Sequence, residues 1–198
     1  QSGAIGIAME GNVAIDPIVA QGCRPIGNVM CITKSQHNML QELDQKSPLE
    51  VLKDLFASSV ERDQELMQSS LFLGIVMDDF IEDPKQGDFL VRNVIGLDSR
   101  TGIMAIGENI REGQRVQFHL RDALTSADDL AGALGRYVDE NRASEIQGAL
   151  LFSCLGRGEY LYGRPDHDTD MFKDKLGVPL GGFFCNGEIG PVGGSTFL

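Results

Sequence analysis

Three short segments join a cysteine to a turn and a charge. Cys154 precedes Gly156-Arg157-Gly158, Cys185 opens Cys185-Asn186-Gly187-Glu188, and Cys23-Arg24-Pro25 sets a thiol beside a cation. A glycine turn can present backbone N–H groups to an anion. A nearby arginine can clamp a carboxylate through two parallel hydrogen bonds. Glu188 would take a ligand ammonium group, or move a proton if partly buried. Together these residues suit an amino-acid-like ligand, with Arg157 or Arg24 on its carboxylate and Glu188 on its amine. Each segment also fits a plainer reading, a tight turn beside an inert thiol.

Other chemistries find less support. A cysteine nucleophile needs a general base within reach and a third group to orient that base. His119 and His167 are the candidate bases, and sequence spacing places neither beside a thiol. Asp78, Asp79, Glu82 and Asp83 lack the spacing of an EF-hand loop. Asp166, His167, Asp168 and Asp170 read as a helix start, so no metal is expected. Gly190, Gly193 and Gly194 are not followed by a helix, which a dinucleotide-binding turn requires. No cofactor is expected.

The 198 residues suit one large domain or two small ones. A net charge of −12 and a pI of about 4.6 are the reverse of a nucleic-acid footprint. They also disfavour docking on anionic lipid. No apolar run approaches the ~20 residues of a membrane helix, so no membrane insertion is expected. The four cysteines show no close C-x-x-C spacing, and reduced thiols in a cytoplasmic protein are expected. Gln1 is not a start methionine, and strand-like runs begin at Ala4 and stop at Thr196-Phe197-Leu198. A fragment of a longer protein is expected.

Apolar periodicity then supplies the elements. Strands are expected at 4–9, 12–20 and 26–33, with a weaker one at 38–44. Ser47-Pro48-Leu49-Glu50 is a capping box that starts a helix, and a polar helix follows near 61–68. Residues 71–77 read as a buried strand, 89–97 and 102–106 as a hairpin. Residues 115–120 alternate as a half-exposed strand, with Gln117 and His119 on its polar side. Ser126 is expected to open a helix striped by Leu130, Leu134 and Val138. Buried strands at 147–154 and 180–184 flank a short helix at 166–176 that Gly177 ends. Hairpins outnumber strand–helix–strand units. The expected fold is α+β: mainly antiparallel sheet with three or four helices packed on its faces.

Three segments together resemble the FIST family, named for F-box and intracellular signal transduction proteins. They are 21–27, 153–158 followed by Leu161-Tyr162-Gly163, and 179–191 continuing through Gly193-Gly194-Ser195-Thr196-Phe197. The resemblance implies that 1–30 is the tail of the family's N-terminal region and 31–198 its C-terminal domain, without the last strand. It also implies an intracellular sensory module that binds a small polar ligand, an amino acid or related metabolite. Cys154, Arg157, Cys185, Asn186 and Glu188 would line the site, with Cys23 and Arg24 added from the N-terminal segment. A signalling or adaptor protein would be the partner. The alternatives are a protein-interaction adaptor, as the family's eukaryotic F-box members suggest, and a cysteine-dependent hydrolase or transferase. Binding rather than catalysis is the expectation.

Overall fold

A computed structural model describes residues 6–140, 146–192 and 195–197. Its centre is a closed barrel of antiparallel strands in the order β1-β2-β5-β4-β3-β6. β1 (Cys23–Gln36) is long enough to serve two neighbours. Its first half pairs with β6 (Arg115–Arg121) and its second half with β2 (Met39–Leu43). Register shifts between Ile26 and Met30 and after Ile32 bend it around the barrel. β3 (Leu71–Val76), β4 (Phe89–Leu97) and β5 (Met104–Ile106) complete the ring. Closure leaves no unpaired strand edge.

Side chains alternate across each strand, so register decides which ones meet inside. Leu73 faces Phe118 and Ile75 faces Val116, all in the barrel core. Gly74 faces Gln117, and Phe72 faces His119, on the outer surface. That outer surface is not exposed. Gln117 and His119 are both buried, which overturns the half-exposed strand read from alternation. Gln117 donates its Nε2 hydrogen to the Gly27 carbonyl at 2.7 Å. His119 sits edge-on to Phe89. A side chain at Gly74 would lie 2.3 Å from the imidazole, so glycine is required there.

α1 (Pro48–Ser58) begins at the expected capping box: Ser47 accepts from the Glu50 N–H, and Glu50 accepts from the Ser47 N–H. α2 (Glu61–Ser69) follows it. α3 (Ala123–Asp139) starts one turn before Ser126, because Asp122 accepts from the Thr125 N–H at 2.8 Å and caps the helix. Ser126 is instead buried and donates its hydroxyl to the Gly22 carbonyl.

The rest of the chain forms a second layer. β7 (Ala149–Cys154) and β8 (Leu180–Cys185) pair in parallel, joined through the single turn α4 (Glu159–Tyr162) and the helix α5 (His167–Leu176). One face packs on α3 and α5 through Ala149 and Leu180 against Leu130, Leu134 and Phe172. The other face is open. The expectation that both strands are buried therefore fails: their apolar residues are strand formers, but nothing among the described residues covers half of them. The expected strand at 12–20 is irregular chain, as are residues 6–9 of the run at 4–9. Ala4, Ile5, Gly193, Gly194 and Leu198 lie outside the described residues. A short antiparallel pair, β9 (Gly190–Val192) and β10 (Ser195–Phe197), follows β8. The architecture is α+β with mainly antiparallel sheet.

Candidate functional cleft

Residues 19–22 cross the outer surface of the barrel before entering β1 at Cys23. The Gln21 amide ties them down: Nε2 donates to the Phe89 carbonyl at 2.6 Å and Oε1 accepts from the Val91 N–H at 3.1 Å. Asp129 of α3 accepts from the Gly22 N–H at 2.8 Å. This crossing segment, the β4–β6 surface and α3 enclose a cleft of about 460 Å³. That is within the range of small-ligand sites. Phe89, Val91 and His119 form its barrel wall, Cys23 and Arg24 its end, and Gln86 and Gly87 part of its rim.

α3 contributes Thr125, Asp128, Asp129, Gly132 and Arg136, a single helical face at three- and four-residue spacing. The Arg136 guanidinium folds back over Gly132, with Nη1 3.4 Å from where a glycine side chain would begin. It therefore sits about one turn, roughly 5 Å, from the level of Asp128 and Asp129. Opposite charges thus share one wall, about one helical turn apart along the helix. The sequence holds this signal in the spacing 125-128-129-132-136.

Of the residues nominated from sequence, Cys23 and Arg24 line this cleft. Cys23 is buried; burial pushes its thiol pKa up, against the opposing pull of Arg121. Arg24 is held by Asp63 through two nitrogens and by Asp122 at 3.4 Å. Arg157 lies behind the cleft. Its Nε donates to Asp168 at 2.9 Å and its Nη2 to the Tyr162 hydroxyl at 2.6 Å. Asp168 also bonds His167 at 2.9 Å, and that ring stacks on Tyr162. Burial works to raise the Asp168 pKa, but the Arg157 and His167 hydrogen bonds outweigh it and hold the carboxyl below its usual range. The Arg157 guanidinium is thus already occupied by a carboxylate of its own chain.

Arg157 still touches the cleft indirectly. Gly22 has φ +70°, and a side chain there would lie 2.8 Å from Arg157 Nη1 and 2.7 Å from Ser126 Oγ. Glycine alone lets the segment pass between α3 and Arg157 and deliver Cys23 to the cleft. Arg121, which the sequence did not single out, lies over the Phe72 ring and beside Gly156. Cys154 and Cys185 are register partners across β7 and β8. Asn186 and Glu188 occupy the exposed turn beyond β8. Among the described residues, the cleft that Cys23 lines takes in none of Cys154, Cys185 and Glu188. Among the described residues no hydrogen bond joins a cysteine to an imidazole. Among them, too, no group of three or more His, Cys, Asp or Glu is placed to hold a metal, and no helix is long and apolar enough to cross a membrane.

Comparison with known proteins adds the lineage. A family model described as FIST C domain matches residues 48–191, and one described as FIST N domain matches 1–46. An uncharacterized protein of Mycobacterium tuberculosis strain H37Rv is 40% identical over 198 residues, 100% of this chain and 51% of its own length. An uncharacterized protein of Mycobacterium bovis is 37% identical over 202 residues, again 100% of this chain and 51% of its own. An F-box/LRR-repeat protein of Arabidopsis thaliana is 28% identical over 113 residues, 55% of this chain and 21% of its own. The chain spans about half the length of the mycobacterial relatives it matches. No solved structure matches it.

Proposed function

This chain belongs to the FIST family, whose domains are signal-transduction sensory domains, and from that premise we propose that it binds a small polar metabolite, an amino acid or close relative, in the cleft between α3 and the barrel. The observation that supports this is the charge pair on one helix face: Arg136 over Gly132, with Asp128 and Asp129 one turn before it. Arg136 would hold the ligand carboxylate and the aspartates its ammonium group. Phe89 and Val91 would take the side chain. Cys23 and Arg24 bound the same space. A ligand signals only if it binds two states of the protein with different affinity. The cleft offers a means, since its walls belong to separate elements tied by the Gln21 and Gly22 hydrogen bonds. Four reduced thiols fit a cytoplasmic setting.

Calorimetric titration of the full-length protein with a panel of amino acids tests this reading. Arg136→Met and Asp128→Asn should each weaken binding about tenfold or more, the loss expected when a charged hydrogen bond is removed. No heat from any ligand, or affinity indifferent to both substitutions, overturns it.

A second reading rests on a different observation. Leu150, Phe152 and Phe183 form an apolar strip on the open face of β7 and β8, each more than half exposed. Parallel strands are normally covered on both faces. A protein surface docked there would make the chain an adaptor, the role the Arabidopsis relative's F-box name suggests for that protein. Hydrogen exchange compares the two cases: β7 and β8 should be protected in the full-length protein and its complexes relative to this chain alone. Equal exchange removes the docked surface.

A further inference from the structure

We infer that Cys154 and Cys185 form a thiol modification site, a pair that closes to a disulfide when it meets a disulfide oxidant such as oxidised glutathione. The two residues are direct register partners at the last rung of the parallel ladder. Residues opposed in this way point to the same side of the sheet. Adjacent strands lie about 4.8 Å apart, inside the Cα span of about 4.4–6.8 Å that disulfides bridge.

The rungs before this one are held firmly. Phe152 and Phe183 occupy the same face two residues earlier and pack edge to face with ring centres 5.2 Å apart. The Leu155 N–H donates to the Cys185 carbonyl at 2.9 Å and fixes the two strand ends side by side. Each cysteine leads into a turn, Cys154 into Gly156 and Cys185 into Asn186-Gly187. The thiols themselves are held only weakly. Cys154 Sγ accepts from the Gly156 N–H at 3.5 Å, and Cys185 Sγ donates to the Phe183 carbonyl at 3.7 Å. Rotation about each Cα–Cβ bond exchanges two weak contacts for one covalent bond.

The other cysteines lack these features. Cys23 is almost fully buried in the end of the cleft. Cys31 is opposed by Arg115 on β6. Cys154 and Cys185 are both half-buried and reachable.

The chemistry balances as a thiol–disulfide exchange. One cysteine thiolate attacks a sulfur of oxidised glutathione; the glutathione S–S bond breaks, and one glutathione leaves as thiolate. The second cysteine loses its proton and attacks the mixed disulfide, forming the Cys154–Cys185 bond and expelling the second glutathione. The protein gives up two electrons and two protons, and oxidised glutathione is reduced to two glutathione thiols. Closure ties the carboxyl ends of β7 and β8 and encloses the segment that carries α4, α5 and the Arg157–Asp168 pair.

The test is to equilibrate the full-length protein in glutathione buffers of rising oxidised fraction, trap free thiols by alkylation and map the peptides without reduction. The expected product has lost two hydrogen masses and carries a Cys154–Cys185 linked peptide, with Cys23 and Cys31 alkylated after unfolding. Cys154→Ser and Cys185→Ser each remove the resolving thiol, so each should accumulate at least about tenfold more glutathione adduct than the parent. Stable adducts on the unsubstituted protein at the same level as on the variants overturn the inference. So does a bridge that joins any other pair of cysteines.

Discussion

On β6 of the barrel, Val116, Phe118 and Leu120 fill the interior while His119 is 1% exposed on the opposite side. On β7 and β8, Phe152 keeps 51% of its surface in water and Phe183 keeps 65%. Both regions are built from strand formers, and both are hydrogen-bonded sheet. The barrel closes on itself, and residues 19–22 and α3 cover the part of its outside that carries the cleft. The parallel pair has a covered face against α3 and α5, an uncovered one, and a strand at each edge. A two-stranded sheet is seldom stable alone. Within this chain the pair depends on its helices, and its half-exposed open face leaves unrealised about half of the ~1.5–3 kcal/mol that full burial of a large apolar side chain yields.

The largest expected effect separates the two regions directly. Phe118→Ala opens a cavity in a core that cannot collapse around it and should cost about 3–5 kcal/mol. Phe152→Ala removes a ring that water already reaches and should cost this chain less than about 1 kcal/mol, as surface changes do. Urea unfolding of the two variants measures both. Equal losses would mean that the open face is covered in solution, and the contrast between the regions would disappear. If the Phe152→Ala cost rises only in the full-length protein, the contrast stands and the covering surface lies outside this chain.

Local chemistry was legible in the sequence where its partners are close along the chain. Ser47 and Glu50 are three residues apart, and their capping box is where the pattern put it. The Gly177 helix end is equally local. The misreadings concern distant partners. Alternation in β6 correctly put His119 opposite Phe118, but it cannot show that Gly74 and Phe89 cover it. The runs at 147–154 and 180–184 look alike whether one face or two are buried. Arg157 looked available because Asp168 sits on a different element, with α4 between them. For the candidate cleft, Cys23 and Arg24 were legible as a thiol beside a cation, and both line it. The α3 wall was not, because Asp128 and Arg136 gain meaning only once the barrel surface stands opposite them.

His119 sharpens the comparison with a smaller, pH-dependent effect. Burial disfavours its charged form and pushes its pKa down from 6.5 to about 4, outweighing the carbonyl of Gln117 at 3.0 Å from Nδ1. That carbonyl can only accept, so Nδ1 carries the hydrogen in the neutral ring. Between pH 6.5 and 4 the unfolded chain binds a proton here that the folded barrel refuses. Unfolding then takes up protons, so stability must fall as pH falls through that window. The shift corresponds to about 3 kcal/mol lost by pH 4. His119→Asn keeps an N–H for the Gln117 carbonyl and has no proton to gain. Its stability should therefore fall about 3 kcal/mol less than the parent's between pH 7 and pH 4, in paired urea titrations. Acid loss from the carboxylates is common to both proteins and cancels in the difference. Parallel pH profiles would show that water reaches the imidazole, and the outer wall of the barrel would then be as open as the face of β7 and β8.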